Sequence, residues 1–322
     1  MSSGIAVAGT LLVDKIYSIS RYPDSGELTK INGIDISVGG CVPNVSIDIK
    51  RIADDIPVLA IGKVGGDTEA EYIFELLERE RIDTSGIIRS KTKTSFTDVM
   101  SIVGGQRTFF TYPGASAEFS ESDIDLDNLN AKMLHLGYFL LLDRIDNGDG
   151  IKILKKARKK GISTSIDLVT ENSDRYSLVI PALKYTDNLI INEIEAGKLT
   201  GIEPTSYNLM AIAERLMQYG VKDRVIIHKP DLSVCLSSRG YTALPSFDLS
   251  EGFIKGTTGA GDAFCAGALV KIYRGASDLE ILEFASVAAV TALSAPDATS
   301  GILSEKEAVD LCKKFKRSKL CL

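Results

Sequence analysis

Histidine is scarce in this chain of 322 residues. His135 and His228 are the only two, which excludes a multi-histidine metal centre. Cysteine is thin as well. The five cysteines (Cys41, Cys235, Cys265, Cys312 and Cys321) are odd in number and never form a C-x-x-C pair. That pattern speaks against a disulfide framework or a zinc site and for a reduced, cytoplasmic setting, so the histidines and cysteines read as structural. Positive charge is not in excess: 37 Lys and Arg against 43 Asp and Glu leave a net charge of -6. A chain of that sign lacks the basic surface that general nucleic-acid binding needs, and no nucleic-acid partner is expected. Long apolar runs are missing too. The most apolar stretch, 133–142, contains His135 and Gly137 and is too short to span a bilayer. The N-terminus shows no basic segment ahead of an apolar one, so neither a signal peptide nor a membrane partner is expected.

What is present fits one large α/β unit. A chain of this length buries enough core to stand without disulfides or a structural metal. Residues 5–12 form a short apolar run that predicts a buried parallel strand. Residues 14–38 alternate in character around the turn signal Pro23-Asp24-Ser25-Gly26, which predicts a small half-exposed sheet. A helix is expected over 43–53 and a strand over 58–61. Residues 96–103 and 108–112 flank Gly104-Gly105-Gln106-Arg107, the pattern of a hairpin with a glycine turn. From 133 onward, strands at 134–136, 162–167, 188–191 and 224–227 alternate with helices at 150–160, 177–183, 194–199 and 206–219. That alternation is the mark of βαβ units around a parallel sheet. The tail from Gly261 reads as mostly helical. The cationic clusters in 155–160 and 313–319 read as solvated helix ends, where positive charge complements the helix dipole.

Three stretches carry chemistry. The first is Gly256-Thr257-Thr258-Gly259-Ala260-Gly261-Asp262-Ala263-Phe264, between a strand-like segment and an apolar helix. Its small residues let a ligand approach the backbone, and successive N–H groups at a helix start can hold an anion. No Lys-Ser or Lys-Thr follows the last glycine, so it is not a Walker A loop. The second is Asn192-Glu193-Ile194-Glu195 after an apolar strand. It reads either as a capping box or as a carboxylate placed to organise Mg²⁺ around a triphosphate. The third is Gly39-Gly40-Cys41-Val42-Pro43-Asn44, with Asp14 just beyond the first strand. A carboxylate and a carboxamide there suit neighbouring hydroxyls, although a plain turn explains each alone.

Together, in this order, these stretches resemble the ribokinase-like (PfkB) carbohydrate kinase family over nearly the whole chain. Gly39-Gly40 with Asn44 looks like its N-terminal glycine motif, and Gly62-x-x-Gly65-x-Asp67 like its G-x-x-G-x-D segment. Asn192 to Glu195 looks like its N-x-x-E motif, and Thr257 to Asp262 like its T-x-G-A-G-D signature. The resemblance implies a three-layer sandwich on a twisted, mostly parallel sheet. A small β-sheet lid, built from insertions at about 13–38 and 95–113, would close over the sugar. It implies ATP and Mg²⁺, with Asp262 as general base and the amides of Gly259, Ala260 and Gly261 as anion hole. Asp14, Gly39, Gly40, Asn44 and Arg107 would bind the acceptor. Asn192, Glu195, Thr257 and Thr258 would serve MgATP, Glu195 holding Mg²⁺ through water. A homodimer through the lid is also implied. The expected activity is phosphorylation of a free sugar or related polyol. A nucleoside kinase, or a non-catalytic sugar or nucleotide sensor on the same fold, are the alternatives. Cys41, where related motifs often carry Lys, speaks against a phosphosugar. Two departures stand out. Gly256 replaces an Asp that helps to hold a monovalent cation, so little K⁺ activation is expected. His228-Lys229-Pro230 replaces a T-x-G that touches the nucleotide.

Overall fold

A computed structural model describes residues 3–102 and 107–319 of the chain. The first strand, β1 (Ile5–Gly9), is buried on both faces. Its Ile5 and Val7 enter one core, while Ala6 and Ala8 enter the other. Side chains of a strand alternate between faces, so an apolar run of this kind needs helices above and below it. β1 stops at Gly9, and β2 (Leu12–Ile19) and β3 (Ile31–Gly39) leave the main body as an antiparallel pair. The expected turn between them closes with the Glu27 N–H donating to the Asp24 carbonyl at 3.0 Å.

Helix α1 (Cys41–Ile52) begins two residues earlier than the expected start at Pro43. Pro43 occupies the first turn, where its missing N–H costs nothing. β4 (Val58–Val64) then returns to the centre and leads to α2 (Thr68–Arg79) and β5 (Asp83–Arg89), which sequence reading did not anticipate. β6 (Ser95–Ile102) and β7 (Arg107–Tyr112) are antiparallel partners, as the hairpin reading expected. Its turn residues, Gly104 to Gln106, lie outside the described residues, as does Cys321.

The second half alternates as expected. β8 (Met133–Phe139), α3 (Gly150–Lys159), β9 (Ser163–Leu168), α4 (Ile180–Leu183), β10 (Asn188–Asn192), α5 (Glu193–Thr200), α6 (Leu209–Gln218) and β11 (Arg224–His228) follow in turn. The helix expected over 177–183 is shorter, a 3₁₀ turn at Arg175–Leu178 preceding α4. β12 (Leu232–Ser237) and β13 (Gly240–Pro245) run back as an antiparallel edge that the sequence reading missed. Three helices close the chain: α7 (Ala260–Tyr273), α8 (Asp278–Ala292) and α9 (Glu305–Cys312).

The strands make a nine-stranded sheet in the order β13-β12-β11-β10-β9-β8-β1-β4-β5, parallel from β11 to β5. Helices α1, α2, α7 and α8 share one core with one face of this sheet, and α3, α5 and α6 share the other core. The result is the expected three-layer α/β sandwich. A separate four-stranded sheet, β3-β2-β6-β7, stands beside it. Among the described residues no helix is long and apolar enough to cross a membrane. At the cationic end of α3, where a solvated end was expected, Lys156 and Lys160 both pair with Asp127.

Candidate active site

The chain leaves β1 for β4 on one side and, later, for β8 on the other. A crevice opens at the carboxyl ends of the strands where the order reverses in this way. The residues described below stand near such ends, in the first turns of α1, α5 and α7, or on the small sheet.

Asp262 lies in the first turn of α7 and is buried. Asn44 Nδ2 donates to its Oδ2 at 2.9 Å, and the Tyr138 hydroxyl stands 3.0 Å from both oxygens. Burial, reinforced by the nearby Asp167, pushes the Asp262 pKa up to about 7, against the pull of the Asn44 and Tyr138 hydrogen bonds. A carboxylate poised there changes protonation near neutrality, as a general base must. Because Asp262 can only accept when ionised, it fixes the orientation of the Asn44 amide. Asn44 Oδ1 is left buried without a hydrogen-bond partner.

Asp14, on β2, faces the same space and has its pKa raised to about 6 by burial, offset in part by the Arg107 guanidinium. Gly39 leaves room for it, since a Cβ at that position would stand 2.4 Å from Asp14 Oδ2. Gly40 caps α1 with φ +89° and packs against the Thr10 carbonyl. Arg107, at the start of β7, donates from Nη1 to Thr258 Oγ1 at 2.9 Å and so ties the small sheet to the glycine loop.

Gly259 caps α7 in the left-handed region, with φ +77°. This turns the chain so that the amides of the first turn point out of the helix, where none has an intrahelical acceptor. Of the three expected anion-hole residues, Ala260 also donates its N–H to the Thr257 carbonyl at 3.4 Å, a long contact. Two cavities meet at this helix start. One, of about 200 Å³, is lined by Asp262, Tyr138, Asp167, Asn192, Glu195 and Gly261. The other, of about 590 Å³, is lined by Thr257, Ala260, Gly261 and a set of apolar side chains that includes Ile194, Leu249 and Val290.

Asn192 and Glu195 form the capping box that their spacing allows. Asn192 Oδ1 accepts from the Glu195 N–H at 2.9 Å, and Glu195 Oε2 accepts from the Asn192 N–H at 3.1 Å. Glu195 Oε1 accepts from Thr170 Oγ1 and Asn192 Nδ2, and burial raises its pKa to about 8. Both oxygens are engaged by the protein, so Glu195 suits a cation held at the distance of a water molecule rather than direct coordination. Asp67 in the Gly62-x-x-Gly65-x-Asp67 segment is structural. It accepts from the Ala70 N–H at the start of α2 and from the Thr94 N–H, tying that helix to the entry of β6.

Sequence reading missed Tyr138 and Asp167, which end β8 and β9, although the rule that singled out Asp14 after β1 applies to both. The Tyr138 N–H donates to Asp167 Oδ1 at 2.6 Å. Behind Asp167, His135 is held by Ser165 Oγ at 3.0 Å, with Cys265 Sγ 3.7 Å from its other ring nitrogen. The expectation of a merely structural role is too narrow for His228. Its ring packs on Phe264 with centroids 4.7 Å apart and lines both cavities, and burial lowers its pKa to about 4, so it is neutral there. Lys229 and Pro230 line the larger cavity beside it.

The fold recurs among known proteins. A Pyrococcus horikoshii protein assigned as a sugar kinase by inference is 27% identical over 298 residues, covering 88% of each chain. The structure of Arabidopsis thaliana ribokinase complexed with ribose and ATP superposes with a TM-score of 0.85 at 24% identity, covering 97% of this chain and 99% of that one. The Methanocaldococcus jannaschii nucleoside kinase, an archaeal member of the ribokinase family, reaches 0.80 at 18% identity, covering 98% and 99%. The sequence pattern of the pfkB family matches residues 5–305, and the chain belongs to that family of carbohydrate kinases.

Proposed function

We propose that the chain transfers the γ-phosphoryl group of ATP to a hydroxyl of a free sugar or closely related polyol, and that residues 1–322 act as a single kinase domain. One observation carries the reading: Asn44 Oδ1 lies buried and unpartnered while its own amide N–H₂ holds the base candidate, Asp262. A buried acceptor left unpaired is costly, and an incoming hydroxyl removes that cost. Asp14 adds a second free acceptor nearby, so the site suits a molecule with several hydroxyl groups. Asp262 takes the proton of the attacking hydroxyl. The amides of Gly259, Ala260 and Gly261 face the charge that gathers on the phosphoryl oxygens. Arg107 closes the small sheet over the acceptor as a lid.

The larger cavity fits the rest of ATP: apolar walls at one end for the base, Thr257 with Ala260 and Gly261 at the other for the phosphates, and Thr258, bonded to Arg107, next to them in the chain. Mg²⁺ would be held through water by Glu195, in a frame set by Asn192, and supplies charge neutralisation along the triphosphate. The test is a phosphorylation screen over free sugars, sugar acids, nucleosides and sugar phosphates with MgATP. Turnover of a free sugar or polyol is expected. Turnover of nucleosides alone would make the chain a nucleoside kinase, and none at all would make it a sensor.

The lid also makes a homodimer in this reading. All six residues of the edge strand β7 are exposed, and Ile34, Ile36, Phe109 and Phe110 are each more than half exposed on the small sheet. Open edges and apolar faces of that kind are normally covered. Light scattering at micromolar concentration should give the mass of a dimer, and a monomer there contradicts it.

Little activation by K⁺ is expected. Gly256 has no carboxylate, and a Cβ there would come within 2.8 Å of the Pro296 carbonyl oxygen and 2.9 Å of that of Ala295. The carboxylate of the neighbouring loop, Asp297, accepts from the N–H groups of Thr299 and Ser300 at 3.0 and 2.7 Å. Initial rates against KCl, at ionic strength balanced with a non-coordinating cation, should stay nearly flat. A saturable several-fold rise is the contrary result. Gly256→Asp is a poor control, because any side chain there displaces the 295–296 backbone.

A further inference from the structure

We propose that Tyr138 is the positioning residue of the catalytic base: its phenol O–H holds the Asp262 carboxylate in place and yields Oδ1 to the acceptor hydroxyl while keeping Oδ2. The proposal rests on the reading of Asp262 as the base.

The backbone that carries the phenol is unusual. Tyr138 has φ +58° and Leu140 φ +79°, two non-glycine residues in the left-handed region within three positions. That conformation is costly and persists where the surroundings impose it. Here two buried carboxylates impose it: the Tyr138 N–H donates to Asp167 Oδ1 at 2.6 Å and the Leu140 N–H to Asp146 Oδ1 at 2.8 Å. The twist at the end of β8 directs the ring across the crevice, where its hydroxyl lies 3.0 Å from each Asp262 oxygen.

One hydroxyl proton shared between two oxygens is a weak, movable arrangement. Oδ2 has a second donor, Asn44 Nδ2, and Oδ1 has none. An acceptor hydroxyl therefore displaces the phenol from Oδ1 with the least loss, and the phenol settles on Oδ2. The acceptor's proton then passes to Oδ1 while its oxygen bonds to the γ-phosphorus of ATP, the bond from that phosphorus to the β,γ-bridging oxygen breaks, and ADP leaves. Tyr138 keeps its own proton throughout. Oδ2 retains its two donors, which a neutral carboxylic acid's carbonyl oxygen still accepts.

Donation to the charged form also opposes the other groups that face Asp262. These are Asp14 from β2, Asp167 from β9, Cys41 and Asp48 from α1, and Cys265 on its own helix. All of them are acids, and the two buried thiols are held protonated by their burial. The phenol and Asn44 are thus what keeps the base available at neutral pH.

Tyr138→Phe keeps the ring and removes the donor. The acid limb of its kcat/KM profile should move up by about one pH unit, with a loss of about fivefold at pH 7 that largely recovers at pH 9. The ¹³Cγ resonance of Asp262 should titrate with the same upward move. Should Tyr138→Phe fail to fold, 3-fluorotyrosine at position 138 is the second arm. It is a stronger donor and should move both midpoints down. A loss equal at all pH values, with the Asp262 midpoint unmoved in either arm, overturns the proposal. A midpoint that moves while the kinetic limb stays put leaves the Tyr138 contact standing and removes Asp262 from the role of base.

Discussion

Asp262→Asn is expected to lower kcat by roughly two to four orders of magnitude, the usual size of a general-base effect, with the fold intact. The neighbourhood explains why the fold survives. The substituted side chain would bring an N–H₂ group towards Asn44, whose Nδ2 is also a donor, but Asn44 needs only to flip its amide. Its Oδ1, which has no partner now, then accepts from the introduced amide. Stability should even rise. Burial holds the Asp262 pKa at about 7 in the folded chain, above its ordinary value of 3.8. Ionisation of this group therefore costs the folded state stability as pH climbs from about 4 through 7, and the loss is complete above that window. The amide variant escapes it. Its melting temperature at pH 8 should match or exceed that of the wild type, and the two should converge near pH 4. Paired measurements of kcat and melting temperature at both pH values check this. A variant that keeps near-normal turnover removes Asp262 from the mechanism, whatever its stability does.

The direction of the shift separates carboxylates that hold the fold together from those that burial strains, Asp48 and Asp146 among the latter. Asp67 and Asp278 have lowered pKa values, with local hydrogen bonds pulling them below the usual range against burial, and removing either should weaken the fold. Asp14, Glu195 and Asp262 are all shifted upward by burial and stand around one crevice. Groups held in such unfavourable surroundings concentrate at functional sites.

Much of this was legible in the sequence, for reasons that differ from residue to residue. β1 and the βαβ order from 133 onward were readable because buried parallel strands are continuous apolar runs. Asp262, Asn44 and the glycine loop were readable because motif order placed them together. Helix α2 was passed over although its signals are present: Asp67 caps its start, and Ala70, Ile73, Phe74 and Leu77 recur at helical spacing. The antiparallel edge of β12 and β13 followed the parallel strands without a signal of its own. Tyr138 was hidden for a physical reason. A tyrosine in an apolar strand reads as core, and its left-handed backbone is held by Asp167, which lies 29 residues away in the chain. Spacing could not separate the two roles of Glu195 either, because its carboxylate forms the capping box and lines the smaller cavity at once.

Gly259→Ala should be nearly as damaging as loss of the base, and through shape alone. Gly259 sits at φ +77°, where a Cβ adds strain of about 1–2 kcal/mol. That Cβ would also lie 2.5 Å from Ala298 Cα and 2.6 Å from both its Cβ and its carbonyl oxygen. These are backbone atoms and a methyl group, with no flexible end to swing aside, so either the 295–301 loop or the start of α7 must shift. A shift there moves the amides proposed to face the phosphoryl oxygens, and losing even one such donor costs roughly a hundredfold to a thousandfold in rate. We therefore expect kcat/KM for ATP to fall by about two orders of magnitude or more, together with a lower melting temperature. Gly275→Ala supplies the comparison. Gly275 has φ +75°, almost the same conformation, but nothing lies within 4 Å of its missing Cβ. That variant bears the backbone strain without the collision, so its melting temperature should drop while its kcat/KM for ATP stays near the wild-type value. If Gly259→Ala and Gly275→Ala lose stability equally and both keep full activity, the start of α7 does not hold the phosphoryl group.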